Sequence, residues 1–243
     1  MASADVRAWY ADTSILGHDP ARLDRVLAWL GPEARARFER YRHDRDRRMF
    51  ALGRGMARAL VGRELGLAPA AWLWREGPHG RPDIASPPTS WRFNVSHSGD
   101  VVACVLADGR DVGVDVEESD RRAIDPALVA RFCAPDEAAA IDVARPGWHD
   151  RFLTYWTLKE AYLKARGLGI AVHLADISFA VPPDGEAGIR IRFRGSLAGT
   201  DARWAFRLAR PTPRHVLAVA VEAPDADRPP VISVEPLPPD LLP

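Results

Sequence analysis

Three short segments of the chain hold side chains whose types and spacing could do chemistry on a phosphate. The first is Phe93-Asn94-Val95-Ser96-His97-Ser98-Gly99, where an alternating strand runs into hydroxyls, an imidazole and a glycine. Such a cluster can present a hydroxyl, a ring nitrogen and backbone N–H groups to an anion. The second is Asp111-Val112-Gly113-Val114-Asp115-Val116-Glu117. Side chains alternate faces on a strand, so Val112, Val114 and Val116 share one face while Asp115 and Glu117 share the other. Two carboxylates on one face repel unless water or a cation lies between them. An all-oxygen set of this kind is what Mg²⁺ takes, together with substrate phosphates. The third is Phe152-Leu153-Thr154-Tyr155-Trp156-Thr157-Leu158-Lys159-Glu160-Ala161-Tyr162-Leu163-Lys164. On a helix, Trp156, Glu160 and Lys164 lie along one face. Glu160 could then be a metal ligand or a base, and Lys164 could reach a phosphate oxygen.

Each segment also has a plainer reading. The first could be a turn with an exposed histidine, and the second an edge strand with a solvated acidic face. The third could be a surface Glu–Lys pair worth about 0.3–0.5 kcal/mol. No Gly-rich phosphate loop, nucleophile elbow or His/Cys metal spacing offers a competing chemistry. Asp136-Glu137 reads as a first-turn helix pair. His79, His149, His173 and His215 read as scattered structural or solvent-facing residues.

The elements that must position these groups follow from pattern. A strand is expected at 5–11 and a helix from Pro20 to about Leu30. A long helical pattern then runs from 32 to 65, with Pro32 and Glu33 suited to its first turn and Gly66 to its end. Short strands and turns fill 72–97, broken at Gly77-Pro78-His79-Gly80 and Ser86-Pro87-Pro88. Strands at 101–107 and 111–117 are expected to pair as a hairpin, because Asp108-Gly109 between them is a hairpin signal. Helical pattern returns at 126–143 and 149–167. Strand-like alternation follows at 176–181, 188–193, 203–208 and 215–222. Residues 224–243 are proline-rich with little periodicity and read as a flexible tail. The order points to two α+β lobes of similar size, 1–108 and 109–223, followed by that tail.

Bulk composition narrows the function classes. Hydrophobic residues make up 47% and charged residues 27% of 243, with a formal net charge of +0. Nothing global therefore draws the chain to nucleic acid or to a membrane surface. Local charge is different: Arg35, Arg37, Arg40, Arg42, Arg45, Arg47 and Arg48 form a basic run. The two cysteines, Cys104 and Cys133, have no CxxC partner and read as buried thiols of a reducing compartment. No apolar stretch matches a signal-peptide core or a bilayer span, so a soluble, cytoplasmic protein is expected.

In their order and spacing, the three segments resemble the signature of the 4'-phosphopantetheinyl transferase superfamily, in its larger Sfp-type members. The family pattern N-[IV]-S-H-S is met by Asn94-Val95-Ser96-His97-Ser98, and G-[IV]-D-[IV]-E by Gly113-Val114-Asp115-Val116-Glu117. The pattern W-[ST]-x-K-E-[AS]-[FY]-x-K is met by Trp156-Thr157-Leu158-Lys159-Glu160-Ala161-Tyr162-Leu163-Lys164. Pro32-Glu33-Ala34-Arg35-Ala36-Arg37, with Arg45-Asp46 and Gly53-Arg54, is similar to the family's N-terminal basic helix, and Gly80-Arg81-Pro82 to its G-[KR]-P turn. The resemblance spans about residues 32–170, and the motifs together outweigh the plainer readings.

The resemblance implies two α+β lobes with pseudo-twofold symmetry and a coenzyme A cleft between them. It implies Mg²⁺ held by Asp115, Glu117 and Glu160, with coenzyme A phosphates gripped by Arg37, Arg45, Arg81, Ser96, His97 and Lys164. Glu160, Lys164 and His97 are the implied catalytic groups, with Glu160 as base, metal ligand or both. The family varies at the position of Glu117, so its loss should hurt less than loss of Asp115. The implied reaction moves phosphopantetheine from coenzyme A to a serine of an apo acyl or peptidyl carrier protein. Carrier domains of polyketide, peptide or fatty-acid synthases are the implied partners, with no nucleic acid or membrane, and the working form is a monomer. Residues 121–150 are the candidate carrier contact. The rivals are another Mg²⁺-dependent phosphate chemistry, such as hydrolysis, and a catalytically silent coenzyme A binder.

Overall fold

The computed structural model describes residues 5–17, 19–77, 80–119, 124–169, 172–182, 188–198, 203–225 and 227–243. His79 and residues 121–123 of the candidate carrier contact lie outside the described residues.

The chain opens with β1 (Val6–Asp12), α1 (Pro20–Ala28), α2 (Pro32–Arg40) and α3 (Asp44–Leu65). The single helix expected over 32–65 is two. Tyr41 and His43 take extended backbone, and Asp44 and Asp46 open the second helix where its positive end favours acids. The break is held by Arg47, whose Nε donates to the Tyr41 carbonyl at 2.8 Å, and by the Tyr41 ring 5.4 Å from Phe50. Next come β2 (Leu73–Glu76), β3 (Pro82–Ser86), β4 (Trp91–Ser98), β5 (Val101–Asp108) and β6 (Val112–Glu118). α4 (Ala127–Phe132) and α5 (Pro135–Ala139) replace the one helix expected at 126–143, because Pro135 restarts the helix after an extended Cys133. α6 (Trp148–Arg166), β7 (Ile177–Ala180), β8 (Arg190–Phe193), β9 (Trp204–Ala209), β10 (His215–Glu222) and β11 (Ile232–Pro236) complete the order.

Two sheets face each other, ordered β11-β1-β5-β4 and β6-β10-β9. Their facing sides are small and β-branched: Val6, Ala8, Val101, Ala103 and Val105 against Val112, Val114, Val116, Leu217 and Val219. α3 covers the outer side of the first sheet through Leu52, Met56 and Leu60, packed with Phe93, Val102 and Cys104. α6 covers the outer side of the second through Leu158, Ala161, Tyr162 and Ala165, packed with Val216, Ala218 and Ala220. The result is α+β with one long helix laid on each sheet. Cys104 is fully buried and its thiol is pushed well up by that burial, and Cys133 is buried too, so both are inert thiols.

Two expectations are corrected here. β5 and β6 are not a hairpin, for they belong to different sheets. The hairpin is β4–β5, turned at Gly99 with φ +60°, while Asp108-Gly109 leads the chain across to the second sheet. The valine faces of β5 and β6 bury more by opposing each other than by lying side by side. Residues 224–243 are not a loose tail. β11 runs parallel to β1, from Val6↔Ile232 to Tyr10↔Pro236, and Leu237 and Leu242 are buried in the first lobe's core. Proline lacks an N–H and is tolerated at a sheet edge, which is where β11 lies.

Candidate functional site

β4 and β6 meet along an unusual seam. β6 is the outer strand of its sheet, paired with β10 on one side, and N–H groups on its open side are met by side chains of β4 rather than by backbone. Val114 N–H donates to Asn94 Oδ1 at 3.1 Å, Val116 N–H to Ser96 Oγ at 3.4 Å, and Glu118 N–H to Ser98 Oγ at 3.1 Å. Alternation on β4 aims Asn94, Ser96 and Ser98 at the seam and leaves Val95 and His97 on the other face.

Three acids and a lysine gather over this seam. On β6, Gly113, Asp115 and Glu117 face α6. The glycine is required, because a Cβ there would stand 2.2 Å from the Ala161 carbonyl oxygen. That close approach brings Glu160 and Lys164 of α6 down onto Asp115. Lys164 Nζ donates to Asp115 Oδ1 at 2.6 Å and to Ser96 Oγ at 2.8 Å, and the Ser96 hydroxyl donates to Asp115 Oδ1 at 2.9 Å. Glu117 accepts from Ser98 Oγ at 3.0 Å and from Trp156 Nε1 at 3.2 Å. Burial pushes the Glu117 carboxyl above the usual carboxylate range, and Asp115 adds to it against the opposing Ser98 and Trp156 hydrogen bonds and Lys164. Glu160 is raised likewise by burial first, then by the Asp115 charge.

Asp115, Glu117 and Glu160 thus lie near enough for the charge of one to act on the others. Among the described residues, no three His, Cys, Asp or Glu side chains are grouped as a ready-made metal site. Instead the Lys164 ammonium sits against Asp115. The donor chemistry nonetheless fits a hard divalent cation: Asp115, 3% exposed, keeps Oδ2 buried without any partner, and Glu117 and Glu160 add carboxylate oxygens beside it.

A groove leads away from this cluster. Gly80, Arg81, Pro82, Asn94, Val95, Glu160, Leu163 and Lys164 line its near part. Across Gly80, Pro82 and Val95 it continues to Arg37, Arg54, Trp74, Glu76 and His97. Arg81 donates to Asp111 at 2.7 Å and borders the near part. Arg45 does not line the groove. It pairs with Asp100 of the β4–β5 turn at 3.0 Å and lies 3.8 Å from Glu118. Ser96 donates its one proton to Asp115, and its oxygen accepts from Lys164 and Val116, so in this arrangement the hydroxyl positions those groups. His97 stands in the far, arginine-bearing part of the groove, away from Glu160 and Lys164.

On the other side of Glu117 an apolar groove opens between α4 and α6, lined by Ile124, Leu128, Phe132, Phe152, Leu153 and Trp156. Its walls are tied from beneath. Lys159, 1% exposed, donates to the carbonyls of Phe132 at 2.7 Å and Leu174 at 3.0 Å and pairs with Glu137. Glu137 also accepts the N–H groups of Ala134 and Phe179, each at 2.8 Å. Asp136-Glu137 is thus a first-turn pair, as expected, whose second member is also a buried tie. Arg54, Trp74 and Glu76 were not read from the sequence as site residues. The Gly53-Arg54 pair was the available signal, but Trp74 and Glu76 sit on a strand with no motif of its own.

Comparison with known proteins gives consistent matches over both halves. Residues 111–220 match the model of the 4'-phosphopantetheinyl transferase superfamily, and residues 19–108 that of the 4'-phosphopantetheinyl transferase N-terminal region. A phosphopantetheinyl transferase of Thraustochytrium sp. is 34% identical over 95% of this chain and 84% of that protein. A 4'-phosphopantetheinyl transferase of Nostoc sp. is 30% identical over 91% of this chain and 89% of its own length. One from Bacillus subtilis is 29% identical over 69% of this chain and 74% of that protein.

Proposed function

This chain belongs to the 4'-phosphopantetheinyl transferase superfamily, and from that premise we propose how its residues carry out the transfer. It is a transferase that moves the 4'-phosphopantetheine of coenzyme A onto a serine of an apo carrier protein, releasing adenosine 3',5'-bisphosphate. The observation that carries the residue assignment is the convergence of Asp115, Glu117, Glu160 and Lys164 at the β4–β6–α6 seam, with Asp115 Oδ2 left unpartnered.

Coenzyme A lies along the groove, its pyrophosphate at Glu160 and Lys164 and its adenosine end toward Arg37 and His97. Asp115, Glu117 and Glu160 would hold Mg²⁺, which when bound supplies positive charge to the pyrophosphate oxygens. The carrier serine oxygen bonds to the phosphorus nearer the pantetheine, and the bond from that phosphorus to the bridging oxygen breaks. Glu160 takes the serine proton. Lys164 offsets the charge that gathers on the departing bisphosphate. The apolar groove between α4 and α6 ends at Glu117, and the carrier segment bearing the serine enters along it. Both lobes of the site come from one chain, so the working form is a monomer. No helix among the described residues is long and apolar enough to cross a membrane, and we place the activity in the cytoplasm, with synthase carrier domains as partners.

Intact-protein mass spectrometry of an apo carrier protein incubated with this protein, coenzyme A and Mg²⁺ tests the reading. One added phosphopantetheine, lost with EDTA or with Glu160→Ala, supports it. Coenzyme A consumed without a modified carrier would instead show hydrolysis. Binding without turnover on several carriers would show a silent binder.

A further inference from the structure

The far end of the groove holds two guanidiniums that share one carboxylate. Arg54 Nη2 donates to Glu76 Oε1 at 2.6 Å, and Arg37 Nη1 lies 3.7 Å from the same oxygen. The Arg54 guanidinium is stacked 3.9 Å from the centre of the Trp74 ring, with Phe50 at 5.4 Å. Its side chain is only 14% exposed, while those of Arg37 and Glu76 are 49% and 45% exposed. Arg54 is thus fixed by aromatic packing, whereas the carboxylate between the two cations is half in water and free to swing away. Burial lowers the Arg54 pKa, and Arg37 lowers it further against the opposing effect of Glu76, so the pair of cations wants an anion beside it.

We propose that Glu76 is a built-in stand-in for a ligand phosphate. It occupies the anion position between Arg37 and Arg54 when the groove is empty and is displaced by the 3'-phosphate of coenzyme A. This rests on the transferase reading above and concerns the specificity and release of that same ligand. A carboxylate that returns to the arginines competes equally with the 3'-phosphate of the departing adenosine 3',5'-bisphosphate. Glu76 therefore weakens the hold on product as well as substrate. A ligand lacking the 3'-phosphate leaves the Glu76 contacts in place and gains nothing from their removal. An exposed ion pair contributes about 0.2–1 kcal/mol, which converts to a factor of about 1.4–5 in a dissociation constant.

The test is calorimetric titration of the wild-type protein and of Glu76→Gln with coenzyme A, 3'-dephospho-coenzyme A and adenosine 3',5'-bisphosphate at low salt. Glu76 is half exposed, so the variant should fold, with unchanged circular dichroism and melting temperature as the check. The expected result is about two- to fivefold tighter binding of coenzyme A and of the bisphosphate by Glu76→Gln, with 3'-dephospho-coenzyme A unchanged. The gain should shrink at high salt. Equal tightening of all three ligands would reduce the effect to general charge and overturn the proposal. So would weaker coenzyme A binding, since Glu76 would then be holding the arginines in place or touching the ligand. Failure of the wild-type protein to bind coenzyme A at all would overturn the transferase reading itself, and this proposal with it.

Discussion

Replacing Ser96 by alanine separates two roles that a motif serine can play. The Ser96 oxygen lies 2.9 Å from Asp115 Oδ1 and 2.8 Å from Lys164 Nζ, with the Val116 N–H at 3.4 Å. Two of these partners are charged, and a hydrogen bond to a charged group contributes about 1.5–3 kcal/mol. The direct Lys164–Asp115 contact at 2.6 Å survives the change and recovers part of the loss. The net destabilisation should be about 2 kcal/mol, read as a lower denaturation midpoint by both fluorescence and circular dichroism. The two lobes make agreement of the probes a necessary check. For catalysis, Asp115 and Lys164 lose the hydroxyl that fixes them, and loosening groups by about 1 Å can cost about a hundredfold. We expect kcat to fall about 10- to 100-fold, with KM for coenzyme A within about twofold. A tenfold rise in KM at unchanged kcat would refute this, because it would mean that the hydroxyl holds the ligand and not the enzyme's own groups.

Further outcomes follow from the same geometry. Asp115→Ala and Glu160→Ala should nearly abolish transfer while Glu117→Ala keeps a measurable rate, since both Glu117 oxygens are already met by Ser98 and Trp156 while Asp115 keeps Oδ2 without a partner; equal loss in all three folded variants would contradict the ranking. Gly113→Ala should lift α6 off β6, because the new Cβ would meet backbone at 2.2 Å and 2.5 Å; an overpacking cost of about 1–3 kcal/mol and a loss of activity far exceeding the loss of fold are expected, and near-normal kinetics would show that the helix can back away freely. Leu242→Ala should cost about 2–4 kcal/mol in chemical denaturation, where a loose tail would give nothing. Glu117 and Glu160 have folded pKa values above their unfolded ones, so the folded state binds more protons and these two groups cost stability as pH rises through that window. Mg²⁺ at about a hundredfold over its Kd, worth about 2.7 kcal/mol, should therefore raise the melting temperature more at about pH 8 than at about pH 5.5. An equal shift at both would remove the carboxylates from the account.

The local chemistry was legible because it depends on short-range rules. Period-two alternation put Asp115 and Glu117 opposite Val112, Val114 and Val116, and period 3.6 put Trp156, Glu160 and Lys164 on one helix face. What the sequence could not display were pairings between distant segments. Asp108-Gly109 is a good turn anywhere, and nothing local says that the strands it joins enter different sheets. The prolines of 224–243 hid four apolar side chains, Ile232, Val234, Leu237 and Leu242, that pack against the first lobe. Arg45 and Arg37 look alike in a basic run, but only the break at 41–43 decides which one reaches the groove. Glu137 and Lys159, 22 residues apart in sequence, became a buried pair only through the packing of α5 on β7 and α6.

The seam between β4 and β6 also bears on how the protein assembles. A strand whose N–H groups wait for serine and asparagine side chains from the other lobe has an open edge until that lobe is present. The second lobe produced alone would carry that edge, and it would stick to its own kind. Meanwhile β11 closes the first lobe by lying beside β1. Neither half is finished without a strand from elsewhere in the chain, so the two settle together. The catalytic carboxylates can be set in place only when the whole chain has folded as one unit.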